Sequence, residues 1–220
     1  MDRILRTDLT AAFGYPLIIA VLGDTHIQGP QRRIPEDYLE KIRQVDPSLI
    51  FHTGDIMELH VLEALERVAP VFAVRGNRDF SHRNRLPVMR LFQFGDTEIC
   101  LLHGHGTIAQ YLRLKVRYWQ GKLDPEFIAD QLPDAAANSR VVIFGHSHVP
   151  RVWSEQGKLF LNPGAFSEGN HNDRFWFPSF ARFRIESPQK IFVEIHCKED
   201  DWHVYCSKRI DWNNNGGAAQ

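Results

Sequence analysis

An aspartate and a histidine two residues apart, Asp24 and His26, follow the apolar run 17–22 through Gly23. Released into a glycine-led turn past the end of a buried strand, both side chains can reach one cation. The chain repeats this punctuation. Gly54-Asp55 follows Leu49 to Phe51, Gly76-Asn77-Arg78-Asp79 follows Val71 to Val74, His103-Gly104-His105 follows Ile99 to Leu102, and Gly145-His146-Ser147-His148 follows Val141 to Phe144. Carboxylate, imidazole and amide oxygen form a donor set of intermediate softness, suited to manganese, iron, zinc or nickel rather than calcium. Two neighbouring cations need a shared ligand, and a carboxylate with two oxygens can bridge them where a single imidazole nitrogen cannot. Asp55 is the natural bridge.

Each motif taken singly has an ordinary explanation. Asp24 can cap a turn, Gly-Asp is common turn chemistry, Asn77 suits a left-handed turn, and His103, His105, His146 and His148 can be hydrogen-bonded core or surface histidines. Those explanations do not account for ligand-type residues in five separate turns, each behind an apolar run.

The elements that position these turns follow from apolar spacing. Pro35-Glu36-Asp37 opens a helix with an acidic first turn, Tyr38, Leu39, Ile42 and Val45 supply its buried stripe, and Pro47 stops it. Ser48 to Thr53 reads as a strand, Leu59, Leu62, Leu65 and Val68 as a second helix, and Val71 to Val74 as a further strand. Continuous apolar runs of this kind mark strands buried on both faces. Strand–helix units in series imply a parallel sheet, which binds ligands outside the carboxyl ends of its strands. After Arg85 the pattern turns antiparallel, with hairpins around Gly95-Asp96 and Gln156-Gly157 and strands at 180–185, 191–196 and 203–208. Residues 108–119 and 125–132 read as helices, and Met1 to Tyr15 as an arm packed on the body. No internal repeat or linker interrupts the chain, so residues 1–212 are expected to form a single α/β domain, with 213–220 a disordered tail.

Length and composition bound the function. A chain of 220 residues is long enough for a substantial core, and 43% hydrophobic with 24% charged residues is ordinary for a globular protein. A net charge of -1 lacks the field that holds extended nucleic acid, while a small phosphorylated ligand stays compatible. Cys100, Cys197 and Cys206 are odd in number and show no metal spacing, so they read as reduced, mostly buried thiols. No apolar run approaches the roughly 20 residues of a membrane helix, and a cytoplasmic location is the expectation.

In their order, Asp24-Thr25-His26, Gly54-Asp55, Gly76-Asn77-Arg78-Asp79, His103-Gly104 and Gly145-His146-Ser147-His148 resemble the signature of the calcineurin-like metallophosphoesterases. Leu161-Asn162-Pro163-Gly164-Ala165 is similar to a loop of their small bacterial and archaeal phosphodiesterase subfamily. The resemblance implies a two-sheet α-β-β-α sandwich, parallel or mixed in its first half and antiparallel in its second. It also implies two divalent metal ions, manganese first among the candidates. Asp24, His26, Asp55 and His148 would bind one, and Asp55, Asn77, His103 and His146 the other, with His105 beside the second. The implied activity is hydrolysis of a small phosphodiester by in-line attack of a hydroxide shared between the two ions. The alternatives are a phosphomonoesterase or nucleotidase, or a non-enzymatic protein-interaction scaffold of the same fold. No nucleophile motif such as Gly-x-Ser-x-Gly competes with this reading.

One position departs from the family pattern. Many members carry histidine after the Gly-Asn pair and the small phosphodiesterases often carry cysteine; here it is Arg78. A guanidinium stays protonated to about pH 12, so it is a poor proton donor and a good phosphate clamp. Two roles remain for Arg78: a clamp, with the leaving group protonated by water or His105, or a partner of Asp79. Asp55, Asn77, Arg78 and His105 are thus the expected catalytic set. The basic residues Arg113, Lys115, Arg117 and Lys122 read first as the solvated face of an amphipathic helix, with a lid or homo-oligomer contact as the alternative. Phe175-Trp176-Phe177 is assigned to a core or interface, and the loop Ser167 to Arg174, with His171, to the substrate pocket.

Overall fold

Alternation inside the strands decides the layering. In strand β2 (Leu17–Leu22), Ile19 and Val21 belong to one buried cluster and Ala20 and Leu22 to another. Strand β6 (Thr97–Leu102) behaves likewise, with Ile99 and Leu101 in the first cluster and Cys100 and Leu102 in a third. Both faces of each strand are therefore apolar, because both are covered. The shared cluster lies between two sheets, and the other two lie under helices, which makes four layers, α-β-β-α.

A computed structural model describes residues 3–120, 125–129, 133–167 and 177–213. One sheet joins β1 (Ile4–Asp8), β5 (Met89–Phe94), β6, β7 (Val141–Ile143), β9 (Lys158–Asn162) and β8 (Arg151–Glu155) in that order. The other joins β12 (Trp202–Asp211), β11 (Lys190–Lys198), β10 (Ser179–Ser187), β2, β3 (Leu49–His52) and β4 (Val71–Ala73). Helices α1 (Glu36–Gln44) and α2 (His60–Glu66) supply residues to the cluster on the second sheet's outer face. Helices α3 (Ile108–Trp119) and α4 (Pro125–Ala129) do so on the first sheet's.

The parallel pairs are not confined to the first half of the chain. β2, β3 and β4 run parallel, and so do β6, β7 and β9. The long segment from the end of β6 to the start of β7 carries α3 and α4 and returns the chain as a crossover, which parallel pairing requires. The five motif-bearing strands thus divide between two sheets whose carboxyl ends converge on one rim. Phe51 of β3 stacks on Phe92 of β5 with ring centroids 4.5 Å apart, locking one sheet against the other beneath that rim.

Most predicted elements recur within a residue or two. The expected arm contains β1, paired in parallel with β5, a strand its weak periodicity does not reveal. In α2 the buried positions are Val61 and Leu65, with Leu62 half-buried and Val68, also half-buried, past the helix end, so the apolar stripe is rotated from its expected centre. Residues 130–132 of the second expected helix, the loop 168–176 with His171, Phe175 and Trp176, and the tail 214–220 lie outside the described residues. Cys100 and Cys197 are buried and Cys206 is half-buried, all three as free thiols. Among the described residues no helix is long and apolar enough to cross a membrane.

Candidate metal centre

Each functional turn begins where a parallel strand ends. Past β2 and β3 the ladder continues into the turns: Thr53 N donates to Leu22 O (2.9 Å), Asp24 N to Gly54 O (2.9 Å) and His26 N to Asp55 O (3.1 Å). In the other sheet Gly145 N donates to His103 O (3.1 Å). The glycines are there for space. A Cβ on Gly76 would lie 2.1 Å from Asp55 Oδ1, and one on Gly145 would lie 2.5 Å from both Asp24 Oδ2 and Thr53 Oγ1. Asp24, His26, Asp55, His146 and His148 have φ of 50°, 47°, 55°, 70° and 60°. That left-handed region costs a non-glycine residue roughly 1–3 kcal/mol, and such residues persist only where surrounding contacts over-determine them.

The donors converge in two groups that share Asp55. In the first, His148 Nε2 lies 3.2 Å and His26 Nε2 3.7 Å from Asp24 Oδ1, and the two imidazole nitrogens are 3.1 Å apart. In the second, His103 Nε2 lies 3.0 Å from Asn77 Oδ1, 3.3 Å from His146 Nδ1 and 3.6 Å from Asp55 Oδ1. Asp55 Oδ2 faces back to His26 Nε2 at 3.8 Å. One carboxylate therefore presents one oxygen to each group. All seven residues expected to ligate metal are brought together.

Three observations test the fit of a cation to this cluster. Asp24 Oδ1 is buried and, among the described residues, has no hydrogen-bond partner, an orphaned lone-pair acceptor at the meeting point of two imidazoles. His103 Nδ1 lies 2.9 Å from the Thr53 carbonyl, which only an N–H can satisfy, so a neutral His103 turns its Nε2 lone pair on the Asn77 oxygen. With the Asn77 oxygen so placed two acceptors face each other, an arrangement that a cation between them would satisfy. Third, ligand atoms of Asp24, Asp55 and His103, all buried, lie within 4.8 Å of one another. The residues fit divalent cations.

The electrostatics agree. Burial opposes ionisation of Asp24, but the His148 imidazole, backed by His26 and His103, outweighs it and holds the carboxyl well below its usual range. At Asp55 burial wins over His103, and with the Asp24 charge it raises the carboxyl. Burial, reinforced by His103, pushes His146 well down, leaving a neutral imidazole free to ligate.

Residues to which the sequence assigns no ligand role hold the donors in place. The Asp79 carboxylate, buried, accepts backbone N–H groups from Asp55 (2.9 Å), Ile56 (2.8 Å), Met57 (2.8 Å) and Gly76 (2.8 Å). It fixes the turn that carries the shared ligand. Asn162 donates to the Gly145 carbonyl (2.8 Å) and Ser147 Oγ (3.0 Å) while accepting from Gly164 N (2.9 Å), so the Asn-Pro-Gly turn braces the His146–His148 loop. His52, buried and pushed down to about 4 chiefly by burial, accepts from Gly54 N (3.1 Å). The signals were present as an aspartate three residues past Gly76 and an asparagine before Pro-Gly, but neither spacing says which backbone groups it serves.

Arg78 sits at the edge of the cluster. Its backbone N–H donates to Asp55 Oδ1 (2.7 Å), and its half-exposed guanidinium lies 3.9 Å from Asp55 Oδ2. The alternative of an Arg78–Asp79 pair is corrected, since four backbone amides take the Asp79 carboxylate and the guanidinium's ion pair is with Asp55. The His105 ring centroid lies 5.4 Å from that of His103 and 6.4 Å from that of His146, beside the second donor group.

Comparison with known proteins decides the family. The sequence profile of the calcineurin-like phosphoesterase superfamily domain matches residues 17–187. The chain belongs to this superfamily. A probable metallophosphoesterase of Methanothermobacter thermautotrophicus is 32% identical over 179 residues, covering 81% of this chain and 91% of the relative. One of Methanocaldococcus jannaschii is 29% identical over 181 residues, covering 82% and 78%. Among solved structures, Vacuolar Protein Sorting 29 from Cryptosporidium parvum shares the fold with a TM-score of 0.70 at 21% identity, covering 90% of this chain and all of that one.

Proposed function

We propose that this superfamily member is a dinuclear-metal-dependent phosphodiesterase acting on a small phosphodiester. The observation that carries the reading is Asp55, whose two oxygens face His103 and His26 and so join the two donor groups. Asp24, His26, Asp55 and His148 would hold one cation, and Asp55, Asn77, His103 and His146 the other. Two cations so held supply a water ionised near neutrality and charge neutralisation during in-line displacement. The donor set suits manganese, iron, zinc or nickel, with manganese the first to be tried.

The chain's own groups do the rest. Asn77 and the neutral His146 present donors without adding negative charge, which suits an anionic substrate. The Arg78 guanidinium, anchored through its backbone to the shared carboxylate, is placed to clamp a phosphoryl oxygen. His105, whose ring centroid lies 5.4 Å from that of His103, is one source of a proton for the leaving oxygen, and solvent is the other. Arginine in place of a proton donor favours diesters over monoesters, whose looser transition state puts more charge on the leaving oxygen and so depends more on an acid. Free, buried thiols suit a reducing compartment such as the cytoplasm.

The second reading is a protein-interaction scaffold without turnover built on this same fold, which is also the fold of Vacuolar Protein Sorting 29. The deciding experiment is metal analysis of the purified full chain, followed by turnover of bis-p-nitrophenyl phosphate and p-nitrophenyl phosphate with added manganese. The proposal expects bound metal, a preference for the diester, and loss of both in Asp55→Ala. No metal, no turnover and an Asp55→Ala variant identical to wild type would establish the scaffold.

A further inference from the structure

Helix α3 brings an aromatic side chain to the candidate centre. The Tyr111 ring centroid lies 6.0 Å from that of His146, whose own ring is 5.1 Å from His103. Its placement follows from local chemistry. Thr107 N donates to Gln110 Oε1 (2.8 Å) and Gln110 N to Thr107 Oγ1 (3.4 Å), a reciprocal cap that starts the helix two residues after His105. Tyr111 therefore falls in the first turn. Three residues on, on the same helix face, Leu114 is buried with Leu102 and Phe144, the residues preceding His103 and Gly145. Leu114 thus seats the helix on β6 and β7, and Tyr111, half-buried, overhangs their carboxyl ends.

We infer that Tyr111 contacts the substrate's organic group and selects phosphoesters bearing a planar apolar substituent, aryl or nucleobase, over alkyl ones. The inference rests on the phosphoesterase reading of the centre. The ring lies beside the place an ester would take on the His103–His146 side, and an aromatic face there adds attraction for a planar group and none for a methyl.

Phenylphosphonate and methylphosphonate offer the same anion and differ only in the ring, and neither is hydrolysed. Calorimetric titration of the manganese-loaded full chain should show phenylphosphonate bound about fivefold to tenfold more tightly. Tyr111→Phe should keep that preference. Tyr111→Leu and Tyr111→Ala should lose it while binding methylphosphonate as wild type does and holding the same metal content by mass spectrometry. Equal binding of the two phosphonates by wild type, no binding of either, or a preference retained in Tyr111→Leu overturns the inference. Turnover of bis-p-nitrophenyl phosphate, measured in parallel, separates the two readings: turnover without preference removes the Tyr111 role alone, and preference without turnover removes the hydrolase reading alone.

Discussion

The two donor groups are made of similar residues but are held differently. His103 has a fully buried side chain and spends its Nδ1 on the Thr53 carbonyl, so its Nε2 is aimed before any ligand arrives. His26 and His148 are partly exposed, with side-chain exposures of 15% and 18%, and the buried His26 Nδ1 has no partner among the described residues. An imidazole whose far nitrogen is anchored pays less orientational entropy on binding metal, and removing such an anchor typically costs 10–100-fold in affinity. The group around His103 is therefore expected to be the tighter site and the group around His26 the exchangeable one.

Removing the residue common to both should have the largest effect. Asp55→Ala is expected to abolish both sites and lower turnover by at least about 10³-fold, with metal content read by mass spectrometry; retention of one full equivalent would show that the groups do not depend on a shared ligand. His103→Ala and His26→Ala should then differ. The first is expected to raise the metal dissociation constant of the tight site about 100-fold, the second to leave one tight equivalent and weaken only the other. Identical titration curves for the two variants would erase the asymmetry.

Smaller effects refine it. Asp79→Asn keeps one acceptor oxygen for four backbone donors, so about 2–3 kcal/mol of unfolding free energy should be lost in urea titrations, an effect Arg78→Ala should not reproduce. Arg78→Ala is expected to lower kcat/KM for a diester about tenfold with metal content unchanged; unchanged kinetics would remove the clamp. The smallest effect is on pH. His52 titrates near 4 when folded against 6.5 when unfolded, so the unfolded chain binds more protons between those values. His52 alone should lower the stability of the metal-free protein by about 1 kcal/mol from pH 7 to 5.5. His196, buried against Phe180 and likewise pushed down to about 4, acts with the same sign. A midpoint flat over that range would mean that His52 finds a partner when protonated.

How much of this was legible depends on whether the signal is local. Gly-Asp and Gly-His after apolar runs announce ligand turns because strand, turn and donor are neighbours in the chain, and the order of five such turns carried the family resemblance. The strand β1 escaped notice because it draws its order from pairing with β5, more than 80 residues on, rather than from its own periodicity. Asp79 and Asn162 were visible as motif members, yet their work is done on backbone groups of other turns. Tyr111 lies in a helix that its sequence marks only as amphipathic.

The sequence by itself determined which residue types could bind a cation, the strand ends that release them and the position where arginine replaces a proton donor. Tertiary structure alone decided that Asp55 faces both groups, that His103 is anchored and His26 is not, and that α3 lies over His146. The reason is physical: residue type and turn chemistry are written over a few neighbouring positions, whereas the aim of a lone pair is set by hydrogen bonds and packing between segments far apart in the chain.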